Sequence, residues 1–367
     1  MRVGLIFGTR PEAIKIAVLY HELKKENIEV LTINTGQHKE MIENVLNIFN
    51  INCDYNLNIM KIGQSLSELT SRLIRKIDEI MKIEKLDYVL VQGDTTTVFA
   101  AALVSFYHKI PVGHIEAGLR TGDIYSPFPE EANRKLVGVV TDLHFAPTDI
   151  NVYNLIKEGY SKDKIIKTGN TVIDALKWIK KYKAEDLVEI RKKYHLEGKK
   201  YILLTMHRRE NWGSPMLETL KAVKDYLSEN RSIYLVFPMH LNPLIREMAK
   251  EVLKDVENAY LIEPLEYMEF ISLMDGAFYI MTDSGGIQEE APTLGKPTLV
   301  LRDTTERPEA IEAGTAKLVG TKYKNVLKYM KLLEGKLYKE MSMQSNPYGD
   351  GNACKYIVQA LKERNKL

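Results

Sequence analysis

The sequence predicts an α/β protein of two doubly wound parallel-sheet domains with a cleft between them, and three observations carry that prediction. At 367 residues the chain exceeds the size at which a single core stops growing. Short, continuous apolar runs alternate with amphipathic segments along it, the pattern of strands covered on both faces by crossover helices. A polar or Gly-rich turn follows each run, and in open α/β sheets ligands bind outside the carboxyl ends of the strands.

In the first half "RVGLIF" leads into "GTRPEAIKIAVLYHELKK" and "EVLTINT" into "GQHKEMIENVLNIF". "DYVLVQ" leads into "GDTTTVFAAALVSFYH", and "LHFAP" into "TDINVYNLIKEG". In the second half "YILLTM", "IYLVFP", "AYLIEPL", "AFYIMTDSGG" and "PTLVLRD" each precede a helical stretch. The boundary falls in "IIKTGNTVIDAL", giving an N-terminal domain over 1–169 and a C-terminal domain over 170–350. Residues 351–367 form an amphipathic helix with Ile357 and Leu361 on one face. That helix could cover either domain, packing back on the N-terminal one being a candidate placement.

Composition narrows the function classes. Lys+Arg at 51 against Asp+Glu at 49 is too balanced for a general nucleic-acid or membrane binder, so any anion site is local. Cys53 and Cys354 lie far apart without CxxC spacing, which indicates neither a zinc site nor a disulfide framework. They read as buried thiols of a reducing compartment. "MRVGLIFGTRPE" becomes charged too early for a signal peptide, and no apolar run reaches membrane-spanning length, so the chain reads as cytoplasmic. No metal-ligand cluster is visible in the sequence.

The turns carry the chemistry. In "FGTRPE", Pro11 suits a first helical turn, and Arg10 and Lys15 beside the free amides can hold a phosphate; the plain alternative is a capped helix with both cations solvated. The turn is neither GxGxxG nor a P-loop. Asp94 in "VQGDTTT" is either a helix cap, the commonest job for Asp at such a place, or a functional carboxylate. Glu116 ends the next strand. Glu130 and Arg134 in "PFPEEANRK" are four apart and share a helix face, while Glu131 and Lys135 read as an exposed i,i+4 pair.

"TMHRRENWG" brings His207, a titratable group, with the permanent cations Arg208 and Arg209; "FPMHLNP" adds His240. In "TDSGGIQEEAPTLGKP", Ser284, Gly285 and Gly286 offer a hydroxyl and unobstructed backbone amides suited to a diphosphate. Glu290 can accept both hydroxyl protons of a ribose diol. "LRDTTERPEA" adds Arg302 and Arg307.

The ordered set "GTRPEAIK", "QGDT", "HIEAGLRTGD", "PFPEEANR", "HRREN", "TDSGGIQEEAP", "TTERPEA" and "NPYGDGNA" resembles the non-hydrolysing UDP-N-acetylglucosamine 2-epimerases, over Phe7 to Ala353. The resemblance implies a GT-B-like pair of Rossmann-like domains, a homodimer, and no cofactor. It implies interconversion of UDP-N-acetylglucosamine and UDP-N-acetylmannosamine through 2-acetamidoglucal and UDP, for surface polysaccharide. It assigns Asp94, Glu116 and Glu130 as the acid–base carboxylates, His207 as the aid to UDP departure and Arg134 as their support. Nucleotide contacts fall on Arg10, Lys15, His240, Phe270, Ser284, Gly285, Gly286, Glu290, Arg302 and Arg307. A second, activating UDP-N-acetylglucosamine site falls on Gln37, His38, Arg72, His207 and Arg208, with Glu40 departing from the neutral amide of bacterial members. Rival readings are a GT-B glycosyltransferase, a hydrolysing 2-epimerase that releases N-acetylmannosamine, and a bilobed binding protein without catalysis.

Overall fold

The computed structural model describes residues 1–36, 39–61 and 63–364. It divides into two compact units: Met1–Ala175 together with the C-terminal segment from Tyr348, and Leu176–Pro347. The first unit holds seven strands, β1 (Arg2–Phe7), β2 (Glu29–Asn34), β3 (Tyr55–Asn56), β4 (Tyr88–Gln92), β5 (Val112–Ile115), β6 (Leu143–Ala146) and β7 (Ile165–Lys167). They form one sheet in the order β3-β2-β1-β4-β5-β6-β7, with every pairing parallel. The order reverses between β1 and β4, so the loops after these two strands open on the place where doubly wound sheets take ligands.

The second unit repeats the plan with β8 (Lys200–Thr205), β9 (Ile233–Pro238), β10 (Ala259–Ile262), β11 (Tyr279–Thr282), β12 (Thr298–Val300) and β13 (Ala316–Leu318). Its order is β10-β9-β8-β11-β12-β13, again all parallel, with the switch between β8 and β11. The apolar runs named from the sequence are these strands. The short strands β3, β7 and β13 were not among them, because two or three residues carry no periodicity to read.

Burial explains the continuous apolar runs. In the first unit Ile6, Ile33, Val89 and Val91 pack against Leu69, Leu73 and Ile77 of the helix Leu66–Met81 and Val98 and Ala101 of the helix Thr96–Tyr107. In the second, Leu204, Leu235, Phe237 and Met281 pack against Met216, Leu220 and Val223 of the helix Ser214–Glu229. The C-terminal helix Ala353–Arg364 lies against the helix Arg10–Lys25 in the first unit. Its first amides, of Ala353 and Cys354, donate to the buried Asp174 carboxylate at 3.2 and 2.9 Å. Lys362–Glu26 at 2.6 Å and Arg364–Asp142 at 2.7 Å hold its other end. Among the described residues, no helix is long and apolar enough to cross a membrane.

One glycine decides the path of the chain after β5. Gly118 has φ +89°, and a Cβ there would lie 2.4 Å from the carbonyl oxygen of Asn151. Gly118→Ala is expected to cost about 2–4 kcal/mol of stability, from left-handed strain plus a backbone clash. A lowered urea midpoint with an unchanged m-value checks this.

Candidate active site

At the carboxyl ends of β4 and β5 two loops are laced together. The amide of Gly93 donates to the carbonyl of Ile115 at 3.0 Å, and Nε2 of the buried His114 meets the carbonyl of Gly93 at 2.7 Å. Burial pushes His114 down to about 4, so its ring is neutral at physiological pH and Nε2–H donates to that carbonyl. Asp94 and Glu116, the residues that follow, are thereby fixed relative to one another.

Glu116 adopts φ +66°, a left-handed conformation that an ordinary side chain enters at a cost of about 1–3 kcal/mol. Its carboxylate is held there by Lys15 Nζ at 2.5 Å and by the side-chain amide of Gln92. Lys15, read from the sequence as a phosphate cation, is therefore ion-paired to a candidate catalytic acid, with only 17% of its side chain exposed.

Asp94 is not the cap of the next helix. Thr95 is, its hydroxyl accepting from the amide of Val98, so of the two readings left open for Asp94 the cap falls away. Both Nε and an Nη of Arg134 donate to one Asp94 oxygen, Oδ2, at 3.0 and 2.7 Å, and Oδ1 accepts no hydrogen bond from the described residues. The side-chain amide of Asn133 donates to the Asp94 carbonyl at 2.9 Å. The expected exposed pair Glu131–Lys135 is also overturned: Glu131 is fully buried and bonds Arg134 at 2.8 Å. Arg134 in turn pairs with Asp94 and Glu131 rather than with Glu130, which opens the helix Glu130–Val140 half-exposed. Although burial opposes it, the charges of Asp94 and Glu131 hold the Arg134 pKa above its ordinary value.

The phosphate reading of the first helix start is corrected in part. Thr9 caps the helix Arg10–Lys25, and the buried carboxylate of Glu12 accepts from the amides of Gly8 and Thr9 at 2.6 and 3.2 Å. A capping box thus consumes amides that the sequence left free for an anion. Arg10 is half-buried beside it. Burial, with the Asp94 charge acting in the same sense, raises Glu12 to about 7.

In the second unit the loops after β8 and β11 meet on Asp283, which is fully buried and accepts from His207 Nδ1 at 3.0 Å. It also accepts from the amide of Arg208 and the side-chain amide of Asn211, each at 3.0 Å. Burial raises the Asp283 pKa, but the bonds from His207, Arg208 and Asn211 outweigh it and leave a net lowering, so the group stays ionised. His207 itself is half-exposed. With Nδ1 held, Nε2 is the nitrogen turned to other partners. Ser284 precedes the helix Gly285–Glu290 without using its hydroxyl as a cap, unlike Thr9, and Glu290 closes that helix. Arg307 pairs with the buried Glu289, and Arg302 donates to Glu210 at 3.1 Å and approaches Glu306 at 3.6 Å. His240 is exposed and accepts from the amide of Asn242; Phe270 is half-buried on the helix Tyr267–Gly276.

Of the candidate activating residues, Gln37 and His38 lie outside the described residues. Arg72 donates to the Ile59 carbonyl at 2.6 Å and to Gln64, and Arg208 lies 3.7 Å from Glu306. Sequence reasoning passed over Glu131, Asp283 and Gln92. Each stands inside a quoted motif, but burial is what distinguishes them from surface decoration, and burial has no local signature. Among the described residues, no group of His, Cys, Asp and Glu is arranged to hold a metal.

Two doubly wound units with polar side chains gathered after their central strands make this a GT-B-like α/β protein, the class of its structural neighbours. Residues 21–362 match the family model described as UDP-N-acetylglucosamine 2-epimerase, and the chain belongs to that family. It is 50% identical over 370 residues to the UDP-N-acetylglucosamine 2-epimerase of Escherichia coli strain K12, covering 99% of this chain and 98% of that one. It resembles the Neisseria meningitidis UDP-GlcNAc 2-epimerase bound to UDP-GlcNAc with a TM-score of 0.87 and 48% identity, over 99% and 100% of the two chains. The co-structure of S. aureus MnaA with UDP matches at a TM-score of 0.84 and 49% identity, over 100% and 97%.

The elevated Glu12 gives a pH test. Its folded value of about 7 lies above the ordinary 4.5, so the protonated form is favoured by folding. Its stabilising contribution is complete below pH 4.5 and is lost as pH rises through 7. Glu12→Gln keeps one oxygen for both amides and removes the ionisation. The stability of wild type minus that of the variant is expected to fall by about 3 kcal/mol between pH 4.5 and 7.5 in urea titrations.

Proposed function

We propose that the protein is a non-hydrolysing UDP-N-acetylglucosamine 2-epimerase, interconverting UDP-N-acetylglucosamine and UDP-N-acetylmannosamine in the cytoplasm. The observation that carries the reading is the pair of cation-held carboxylates at adjacent strand ends, Glu116 on Lys15 and Asp94 on Arg134. No carbonyl adjoins C2 of the sugar, so its proton is not acidic in the ground state. Breaking the C1–O bond first places the bonding pair on departing UDP and leaves oxocarbenium character at C1. That makes the C2 proton labile to a carboxylate, and its loss gives 2-acetamidoglucal. A proton delivered to C2 from the opposite face, with UDP oxygen re-forming the bond at C1, yields the epimer.

Such a reaction needs anions that stabilise positive charge at C1 and exchange protons on both faces. Asp94, Glu116 and Glu130 supply them, and Arg134 supports Asp94. In the second unit His207, set by Asp283, assists UDP departure. Arg10, Lys15, His240, Phe270, Ser284, Gly285, Gly286, Glu290, Arg302 and Arg307 bind the nucleotide. Lys15 combines that role with its bond to Glu116, which lets one cation answer both to the carboxylate and to the leaving group.

Proton NMR of UDP-N-acetylglucosamine with enzyme in heavy water tests the reading. Deuterium at C2 of both epimers, with no free N-acetylmannosamine accumulating, is expected. Accumulated free sugar with UDP would identify hydrolysis, and absence of C2 exchange would leave a transferase or a binding protein. Asp94→Asn, Glu116→Gln and Glu130→Gln are each expected to lower turnover by about 10²-fold or more while UDP binding by calorimetry is retained.

The proposed homodimer has a candidate surface. Phe106, Tyr107, Leu136 and Val139 are 49–75% exposed on two helices that pack together, Thr96–Tyr107 and Glu130–Val140. A patch of this kind on a chain of balanced charge suits a second copy. Phe106→Ser combined with Val139→Asp is expected to give a monomer in sedimentation velocity.

A further inference from the structure

We infer that Glu131 is the positioning residue that aims Asp94, acting through Arg134. It is an inference that rests on the epimerase reading, because it concerns how that reaction's carboxylate is presented.

Three observations lead there. Glu131 is completely buried, and a buried carboxylate is retained only where partners offset its desolvation. Among the described residues it has two partners: Oε2 takes the Arg134 Nη1 donor at 2.8 Å, and Oε1 takes the backbone amide of Gly122 at 3.3 Å. Arg134 has three donor positions in use, Nη1 on Glu131 and the Nε–Nη2 edge on Asp94. A guanidinium is planar, so fixing Nη1 fixes the direction of the opposite edge. That edge takes Asp94 by Oδ2 alone, and among the described residues Oδ1 accepts no hydrogen bond.

The same carboxylate reaches the loop between Glu116 and Glu130. Gly122, at φ +87°, stands at the base of a tight turn closed by Asp123 and Ser126. One buried group thus sets the plane of Arg134 and pins the loop that precedes Glu130. A carboxylate suits this work because both of its oxygens accept. Gln cannot replace it without pointing an N–H at either Gly122 or Arg134.

Other residues already hold Asp94 in part, notably Asn133 on its carbonyl, so loss of Glu131 is expected to misaim the side chain rather than unfold the loop. The nucleotide contacts lie on other residues, so KM should change little while kcat falls. This split separates positioning from general damage.

The test is steady-state epimerisation of UDP-N-acetylglucosamine by wild type, Glu131→Gln, Arg134→Lys and the double variant. Glu131→Gln is expected to lower kcat by about 10–100-fold, the loss typical of a misplaced reacting group, with KM within about threefold. If Glu131 acts through Arg134, adding Glu131→Gln to Arg134→Lys costs no more than about threefold further. Glu131→Asp, which keeps the charge but is one methylene short of spanning both partners, carries the same test if the Gln variant does not fold. Wild-type kcat in the Gln or Asp variant, parallel loss of kcat and UDP affinity, or losses that multiply in the double variant would each overturn the inference. A wild type that does not turn over UDP-N-acetylglucosamine would instead sink the epimerase reading, so the two failures are told apart.

Discussion

The interaction on which the first unit depends is the pairing of carboxylates at neighbouring strand ends with cations carried by other elements. Like charges in one low-dielectric place push one another toward protonation. Here cations answer them: Lys15 reaches from the first helix to Glu116, and Arg134 reaches to both Asp94 and Glu131. Neither cation is a surface decoration, since 17% and 9% of their side chains are exposed. Glu12 is the contrast. It lies near Asp94, no cation among the described residues pairs with it, and burial holds it at about 7. The same residue type is thus an ion-paired group in one place and a helix-capping group in another.

The scaffold makes these pairings possible because a parallel sheet delivers successive loops to one edge. β1 and β4 lie side by side, so Lys15, one turn into the helix after β1, comes within reach of the loops after β4 and β5. The strained backbone of Glu116 is sustained by the same arrangement, with Lys15 and Gln92 both bound to its carboxylate. In the second unit the corresponding pair of central strands, β8 and β11, brings His207 to Asp283. Each unit therefore uses its switch point to join a side chain from one loop to an oppositely charged or hydrogen-bonding partner from the next.

Much of the fold was legible in the sequence because apolar continuity is a local property. Within "DYVLVQ" and "AFYIMT" the strands Tyr88–Gln92 and Tyr279–Thr282 are buried at every residue, the continuous apolar run that a covered parallel strand needs. The strands β3, β7 and β13 carried no such pattern. The motif set identified which turns hold the candidate site, but not how their residues pair. Asp94 looked like a cap because Asp followed by Thr at a strand end usually is one; Thr95, one residue on, took that task. Glu131 and Lys135 looked like a solvated i,i+4 pair because helical spacing is visible and depth is not. The residue three away, Arg134, won Glu131 because it too faces inward.

The ambiguity at Asp94 and the misreading at Glu131 share one cause. A helix cap and a surface ion pair are the cheapest uses of a carboxylate, and local spacing is sufficient evidence for either. A carboxylate committed to a long-range partner betrays itself only by what surrounds it. Asp94 and Arg134 are 40 residues apart, and Lys15 and Glu116 are 101 apart. No window of sequence spans either pair, and only the topology of the sheet makes them neighbours. The candidate chemistry of the first unit is in this sense a product of strand order: moving β4 and β5 away from β1 would leave every motif intact and part Glu116 from Lys15.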